Sequence, residues 1–280
     1  MGCLMLDRFH KLFSFSGAIC LLCMMFLFGS CSTVPLTGRR QLSLIPSSQM
    51  LSLSTQQYGD FLKSNKVSAS AKDVQMVNTV GKRIQVAVEA YMAQNNMSDR
   101  LSGYKWEFNL VESDQVNAWC MPGGKVVVYT GILPVTKTDK GLAVVLGHEI
   151  AHAIADHGNE RMSQGLIAQF GSTALGELIK DKPESTKSLW MSAFGVGAQY
   201  GVLLPFSRTQ ESEADHLGLI FMAMAGYDPN YSVEFWNRMA QMSAGKAPPE
   251  FLSDHPSDES RIAQIKEELP EALKYYKPGR

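Results

Sequence analysis

A hydrophobic run of fifteen residues, 141–155, contains only three polar side chains, and these are His148, Glu149 and His152. The run is too short to span a bilayer, and a helix that is apolar on every face is typical of a protein core. Burial of two imidazoles and a carboxylate is unfavourable unless another group compensates for it. The pattern therefore predicts a buried helix whose polar residues bind a common partner, and a metal ion is the partner that their spacing indicates.

The remaining hydrophobic pattern predicts more helix than strand. Helical spacing of apolar residues marks the helices, whereas alternating or β-branched runs mark the strands. The predicted elements are helices over about residues 48–63, 71–94 and 207–225 and strands over residues 106–112 and 125–132. The expected fold class is α+β and mainly helical, with a small β-sheet beside the buried helix.

Composition limits the classes of function. With 280 residues, 45% of them hydrophobic, the chain can bury a sizeable core, and its formal net charge is −1. No basic run exceeds two residues, so we expect no nucleic-acid partner. Only Cys120 of the five cysteines lies in the body of the chain, which excludes an internal disulfide framework in a processed protein.

The N-terminal segment has the layout of a secretory signal, with basic residues near its start and an apolar stretch over residues 12–28. Two small residues then precede Cys31, as in a bacterial lipobox. We expect a lipoprotein signal peptide over residues 1–30, lipidation of Cys31 and a turn-rich lipidated tether over residues 31–48. The alternative is an uncleaved signal anchor. Both arrangements tether the body, residues 49–280, to a membrane outside the cytoplasm.

The spacing of His148 and His152 predicts a zinc site. Residues four apart on a helix share a face, and Glu149 between them completes the His-Glu-x-x-His pattern of zinc peptidases. A catalytic zinc site usually has a third protein ligand and an open position for water. The alternative is a buried helix whose histidines only form hydrogen bonds with the backbone.

The residues directly after the motif do not supply the third ligand. A pattern with a third histidine six residues after His152 fails, because Gly158 stands there and Ala155 replaces the required glycine. His157 would lie on the far side of a continuous helix from His148. We therefore expect His157 to be a solvated or packing residue.

The predicted helix over residues 207–225 supplies a better candidate. It begins with a capping box at Ser207, and Glu211 and Asp215 lie one turn apart on a shared face. Glu211 is the predicted third ligand, and Asp215 is expected to accept a hydrogen bond from a ligand imidazole. Glu213 points elsewhere and is expected on the solvated surface. An acidic first turn favoured by the helix dipole is the alternative for this pair.

The histidine motif at 148–152, followed by the acidic motif at 211–215, resembles the HtpX and CAAX-prenyl-endopeptidase-like zinc metallopeptidases. The resemblance is closest to their periplasmic lipoprotein members, of the BepA and LoiP kind, and it covers about residues 33–270. Three further stretches fit this group, and they are residues 35–42, 117–124 and 254–257.

This resemblance implies a zincin-like metallopeptidase domain over residues 49–280, with one Zn²⁺ per chain held by His148, His152 and Glu211. Glu149 would act as the general base in peptide-bond hydrolysis. The resemblance also places His255 near the metal, as a fourth ligand or as a stabiliser of the tetrahedral intermediate. A turn histidine before a proline is the plain alternative for His255.

Three residues are candidates for substrate binding. Asn117 and Ala118 resemble the sheet-edge segment against which such enzymes bind a substrate as an added strand, although an ordinary strand end fits equally well. Arg208 precedes Glu211 by three residues, so it could pair with that carboxylate or bind substrate.

The predicted function is that of a membrane-tethered zinc metalloendopeptidase acting on unfolded or misfolded envelope or outer-membrane proteins. The predicted location is the cell envelope, as a periplasmic lipoprotein anchored through Cys31 at the inner face of the outer membrane. One alternative is a lipid-anchored chaperone-like or binding protein with a non-catalytic zinc site. Another is a metal-dependent amidase acting on cell-wall peptides.

Overall fold

The computed structural model describes residues 31–35, 37–184, 186–188, 191, 207–243, 249–255 and 259–278. The predicted signal peptide, residues 1–30, lies outside this part of the chain. Among the described residues, no helix is both long and apolar enough to cross a membrane.

Helices make up most of the described structure, which confirms the predicted fold class. The strands are β1 (Cys31–Thr33), β2 (Arg40–Leu42), β3 (Glu107–Val111), β4 (Ala118–Met121) and β5 (Lys125–Tyr129). The helices are α1 (Ser47–Ser64), α2 (Ala71–Gln94), α3 (Leu133–Thr136), α4 (Asp139–Ile154), α5 (His157–Leu178), α6 (Arg208–Met224), α7 (Tyr231–Ser243), α8 (Glu250–Asp254) and α9 (Glu259–Ala272). The five elements predicted from hydrophobic spacing agree with α1, α2, α6, β3 and β5, within about three residues at each end.

The three-stranded sheet has the order β3-β5-β4, with β3 parallel and β4 antiparallel to the central strand β5. Side chains alternate across β5, as they must in a strand. Val126 and Val128 face the main core, and Val127 packs against Tyr58 of α1 on the other face. Because both faces of β5 are covered, its central residues 126–128 are continuously apolar rather than alternating.

Helix α4 lies at the centre of the core, and every residue from Gly141 to Ile154 is buried. It packs most closely on α6, where Gly147 and Gly218 meet. A Cβ atom added to Gly147 would lie 2.9 Å from the carbonyl oxygen of Gly218, so only glycines allow this approach. The close contact brings the polar residues of α4 and α6 together.

The segment predicted as a tether packs on the domain through several of its residues. Cys31–Thr33 pairs with Arg40–Leu42 as a short antiparallel ribbon, and Val34 is buried in the main core. The side chain of Gln41 donates a hydrogen bond to the carbonyl of Ala155 at the end of α4 (2.8 Å). The segment therefore contacts the helix that carries the histidine motif.

Candidate metal centre

Four buried residues, His148, His152, Glu211 and His255, each direct one possible ligand atom to a common point, and these atoms all lie within 4.8 Å of one another. Nε2 of His148 is 3.1 Å from Nε2 of His152 and 3.2 Å from Nδ1 of His255. The same Nδ1 of His255 is 2.9 Å from Oε1 of Glu211. The predicted ligands His148, His152 and Glu211 are therefore brought together.

The chemistry of this donor set fits a divalent metal ion. Nδ1 of His148 lies 2.9 Å from a carboxylate oxygen of Asp215, so this nitrogen carries the proton and Nε2 presents a lone pair to the cluster. Ligand nitrogens on a tetrahedral metal lie about 3.3 Å apart, which is close to the spacing of His148 and His152. Imidazole and carboxylate groups are ligands of zinc and of several other transition metals.

Arg261 of α9 holds the two carboxylates of α6. It donates to both oxygens of Asp215 (2.7 and 2.8 Å) and pairs with Glu211 through Nη1 (2.8 Å). Its guanidinium also stacks over Trp236, 3.6 Å from the ring centroid. Arg261 could not be predicted from the sequence, because it lies 46 residues after Asp215 and belongs to no recognisable motif.

Burial and neighbouring charges shift the pKa values of the two ligand histidines in opposite directions. Burial lowers the pKa of His148, but Glu211 and Asp215 raise it by more, so the net direction is upward. Burial lowers the pKa of His152 well below its usual value. His152 is therefore neutral at pH 7, as a metal ligand must be.

The two carboxylates remain ionised although they are buried. Burial raises the pKa of Glu211, but His148 and then the other imidazoles lower it by more. Burial also raises the pKa of Asp215, and the charge of Arg261 outweighs that effect. An ionised Glu211 beside neutral His152 has the charge and the lone pairs that a metal site requires.

A comparison with known protein families decides the assignment. The model of peptidase family M48 matches residues 79–269, which include all four residues of the metal centre. The chain belongs to peptidase family M48. This confirms the predicted zincin-like metallopeptidase fold and the predicted enzyme class at the level of the family.

Relatives of this M48 chain carry the names of metalloendopeptidases and of a protease. Mitochondrial metalloendopeptidase OMA1 of Schizosaccharomyces pombe is 41% identical over 174 residues, which cover 61% of this chain and 49% of the relative. Metalloendopeptidase OMA1 of Homo sapiens is 29% identical over 271 residues (94% of this chain and 51% of the relative). The beta-barrel assembly-enhancing protease of Yersinia pestis is 30% identical over 196 residues (69% and 38%). The chain thus spans about half the length, or less, of the relatives it matches.

These relatives correct two predictions. A closest likeness to the periplasmic lipoproteins of the BepA kind is not confirmed, because OMA1 relatives reach higher identity than the bacterial assembly-enhancing proteases. The predicted periplasmic location is wrong on the same comparison, since the most similar of these relatives carry mitochondrial names. The lipobox-like residues before Cys31, on which the predicted location depended, lie outside the described residues.

The remaining predicted residues of the M48 site fall into two groups. Glu149 is 4% exposed, and its Oε1 is 3.5 Å from Nε2 of His255, so it adjoins the metal centre. His255 directly follows α8, where its backbone N–H bonds to the carbonyl of Phe251 (2.9 Å), and the ring enters the donor set. Arg208, the first residue of α6, is exposed and lies outside this buried cluster.

Asn117 and Ala118 lie at the beginning of β4, and their role in substrate binding stays a prediction. The side chain of Asn117 accepts a hydrogen bond from the backbone N–H of Ala118, the first residue of β4 (2.8 Å). Cys31 is the first residue of β1.

Two expectations about neighbouring residues differ from the structure. Glu213 was expected on the surface, which is wrong, because it is 5% exposed. His157 is 0% exposed and is therefore a packing residue and not a solvated one, but it lies beside His152 instead of on the far side of the helix. Nδ1 of His157 is 2.9 Å from Nδ1 of His152, and its Nε2 is 3.1 Å from Oε2 of Glu213. The error lay in assuming a continuous helix. Helix α4 ends at Ile154, and Asp156 adopts a left-handed conformation (φ 58°) that turns His157 back towards His152.

Proposed function

We propose that this chain is a zinc-dependent endopeptidase that hydrolyses peptide bonds in unfolded or misfolded proteins. The observation that carries the proposal is the convergence of His148, His152 and Glu211 beside an ionisable carboxylate, Glu149. Three protein ligands plus a nearby carboxylate are the parts of a hydrolytic zinc site. Zinc held by these residues would polarise the scissile carbonyl and lower the pKa of a bound water.

Glu149 supplies the proton transfer in this proposal. Its carboxylate accepts a proton from the attacking water and passes it to the amine that leaves. The surrounding side chains of α4 are buried, which keeps the site dry and strengthens electrostatic interactions within it. His255 contacts both Glu149 and Glu211, so it can act as a fourth ligand or hold the oxyanion of the tetrahedral intermediate.

Strand β4 is the proposed substrate-binding edge. Among the described strands it lies at the border of its sheet, with β5 on one side only, so its outer edge can accept an extended peptide. A cavity of about 430 Å³ adjoins this strand, and its lining includes Met50, Leu53, Met121 and Met162. Apolar walls of this kind favour an apolar substrate side chain.

The cavity and the helix of the proposed base adjoin the same strand. Cys120 and Met121 of β4 line the cavity, and β4 packs against α4, the helix that carries Glu149. A peptide bound along β4 would therefore lie beside both.

Membrane attachment remains a separate prediction. Lipidation of Cys31 would fix the chain to a membrane through the ribbon of β1 and β2. Metabolic labelling with a radiolabelled fatty acid tests it. Label that is absent from the wild type, or that survives Cys31→Ala, contradicts the prediction.

The proposed activity is tested with the zinc-loaded chain and fluorescent casein, with and without a chelator. We expect cleavage that chelation abolishes, and we expect Glu149→Gln to bind one zinc per chain without cleaving casein. Glu89→Gln, at an exposed site on α2, is the matched control and should cleave normally. Wild-type cleavage by Glu149→Gln would falsify the mechanism. Zinc binding without any cleavage by the wild type would instead favour the chaperone-like alternative.

A further inference from the structure

A buried chain of hydrogen bonds leads from the ligand His152 away from the metal centre. Nδ1 of His152 is 2.9 Å from Nδ1 of His157, and Nε2 of His157 is 3.1 Å from Oε2 of Glu213. The three side chains are 4%, 0% and 5% exposed. A metal ligand is commonly oriented by a carboxylate or a carbonyl, but here a second histidine stands between the ligand and the carboxylate.

The proton positions in this series of hydrogen bonds follow from its charged end, the carboxylate of Glu213. Glu213 accepts, so Nε2 of His157 carries a hydrogen, and Nδ1 of a neutral His157 then presents a lone pair. Nδ1 of His152 must therefore donate to Nδ1 of His157. As a consequence Nε2 of His152 presents its lone pair to the metal centre. The opposite assignment would put a proton on Nε2 and prevent metal binding.

The far end of the chain is held by the N-terminal segment. Thr37 donates a hydrogen bond to Oε1 of Glu213 (2.7 Å), and Nε of Arg39 lies 3.0 Å from each oxygen of the same carboxylate. Arg39 also makes two hydrogen bonds of 2.8 Å with Glu160 of α5. Gln210 of α6 donates to Glu160 (2.7 Å), so these contacts bridge the N-terminal segment, α5 and α6.

The carboxylate at the end of this series is surrounded by donors, since Thr37, Arg39 and His157 all contact Glu213. The N-terminal segment is anchored further along, where the backbone N–H of Leu44 bonds to the hydroxyl of Ser163 (2.9 Å). The N-terminal segment is therefore held on both sides of Arg39, by Thr37 before it and by Leu44 after it.

We propose that Thr37 and Arg39 of the N-terminal segment, acting through Glu213 and His157, are positioning residues that set the tautomer and orientation of His152. The segment predicted as a tether would then be part of the metal centre, and its contacts would tune metal affinity. This inference rests on the proposed metal site, and none of these four residues is proposed to touch substrate.

The experiment measures the zinc dissociation constant of the full chain by competition with a chromophoric chelator at fixed pH. His157→Phe keeps a ring but removes both hydrogen bonds, and we expect affinity to fall about 10- to 100-fold. Arg39→Ala should also lower the affinity for zinc, but by a smaller factor, because Thr37 and His157 still contact Glu213. Arg83→Ala is the matched control, since it removes another half-buried arginine, one that bonds to the carbonyl of Ala225.

A conservative variant and a spectroscopic readout separate positioning from general stability. His157→Asn can still accept from Nδ1 of His152, so we expect it to recover part of the affinity that His157→Phe loses. In the zinc-loaded wild type, ¹⁵N NMR should show the proton of His152 on Nδ1. Circular dichroism confirms that each variant is folded.

The possible outcomes are distinct. Folded His157→Phe and Arg39→Ala that bind zinc as the wild type does would overturn the inference and leave the proposed function standing. Equal losses in Arg83→Ala would also overturn it, because the effect would then be general destabilisation. A wild type that binds no zinc would overturn both proposals together.

Discussion

The imidazole of His148 donates from Nδ1 to Oδ1 of Asp215 across 2.9 Å, and this bond decides which nitrogen of His148 faces the metal centre. Asp215 is itself fixed by two hydrogen bonds from Arg261. Different groups thus orient the two ligand histidines. A carboxylate–arginine pair orients His148, and a second histidine orients His152.

The first prediction concerns Asp215→Asn. The new amide would place an N–H donor against the guanidinium of Arg261, and it would carry no negative charge beside His148. We therefore expect metal affinity to fall about 10- to 100-fold. The measurement is the zinc dissociation constant of the folded variant. Asp60→Asn removes an exposed carboxylate paired with Lys63 and should leave the constant unchanged. An unchanged constant in Asp215→Asn would show that the bond does not orient His148.

The second prediction concerns the buried cation. Arg261→Leu leaves Glu211 and Asp215 without their guanidinium, and removing one partner from a buried ion pair costs about 3–5 kcal/mol. We expect that loss in the free energy of unfolding of the metal-free chain, measured with urea. Bound zinc supplies positive charge, so the loss should be smaller in the loaded chain.

The control for this variant is Arg238→Leu, which breaks a pair with the more exposed Glu234. A pair of that kind contributes about 0–1 kcal/mol. Equal losses in the two arginine variants would contradict the special role of Arg261.

Local spacing along the chain was enough to predict two pairs of residues that meet in the cluster, but not the distant groups that hold them. His148 and His152 are one helical turn apart, as are Glu211 and Asp215, so periodicity alone placed each pair on one face. Arg261 and Arg39 reach the site from distant segments, and no local pattern reports such contacts. His157 was misplaced because the turn at Asp156 interrupts the helix. The left-handed backbone of Asp156 could not be predicted from the sequence, because no glycine marks that position.

The third prediction concerns His255. Its Nδ1 belongs to the donor set, and a fourth protein ligand would occupy the position that a catalytic water needs. We therefore expect His255→Ala to raise basal cleavage of casein by the zinc-loaded chain. His216→Ala, at a histidine outside the donor set, serves as the comparison. A fall in cleavage would favour stabilisation of the tetrahedral intermediate instead.

The fourth prediction is a pH dependence of stability away from the metal centre. Glu268 raises the pKa of His216 above its usual value of 6.5, against the effect of burial, and Glu271 adds to the increase. A raised pKa means that the protonated form stabilises the fold. This contribution is complete below pH 6.5 and is lost as pH rises through the higher folded pKa.

His216→Gln should therefore lower the free energy of unfolding at pH 5.5, and the difference from the wild type should shrink as pH rises above 6.5. Urea unfolding of the metal-free chain at a series of pH values measures it. A difference that stays constant with pH would mean that the charge of His216 contributes nothing.

The last prediction tests the close approach of α4 and α6. A Cβ atom at Gly218 would lie 2.9 Å from the backbone nitrogen of His148, so Gly218→Ala must push the two helices apart. Overpacking of this kind costs about 1–3 kcal/mol in the free energy of unfolding. Because the ligands lie on both helices, we also expect weaker zinc binding. Gly176→Ala on α5 has no atom within 4 Å of the new Cβ and should instead stabilise the helix by about 0.5–1 kcal/mol. If Gly218→Ala is as stable as Gly176→Ala and binds zinc normally, contact between the two glycines does not determine the geometry of the metal centre.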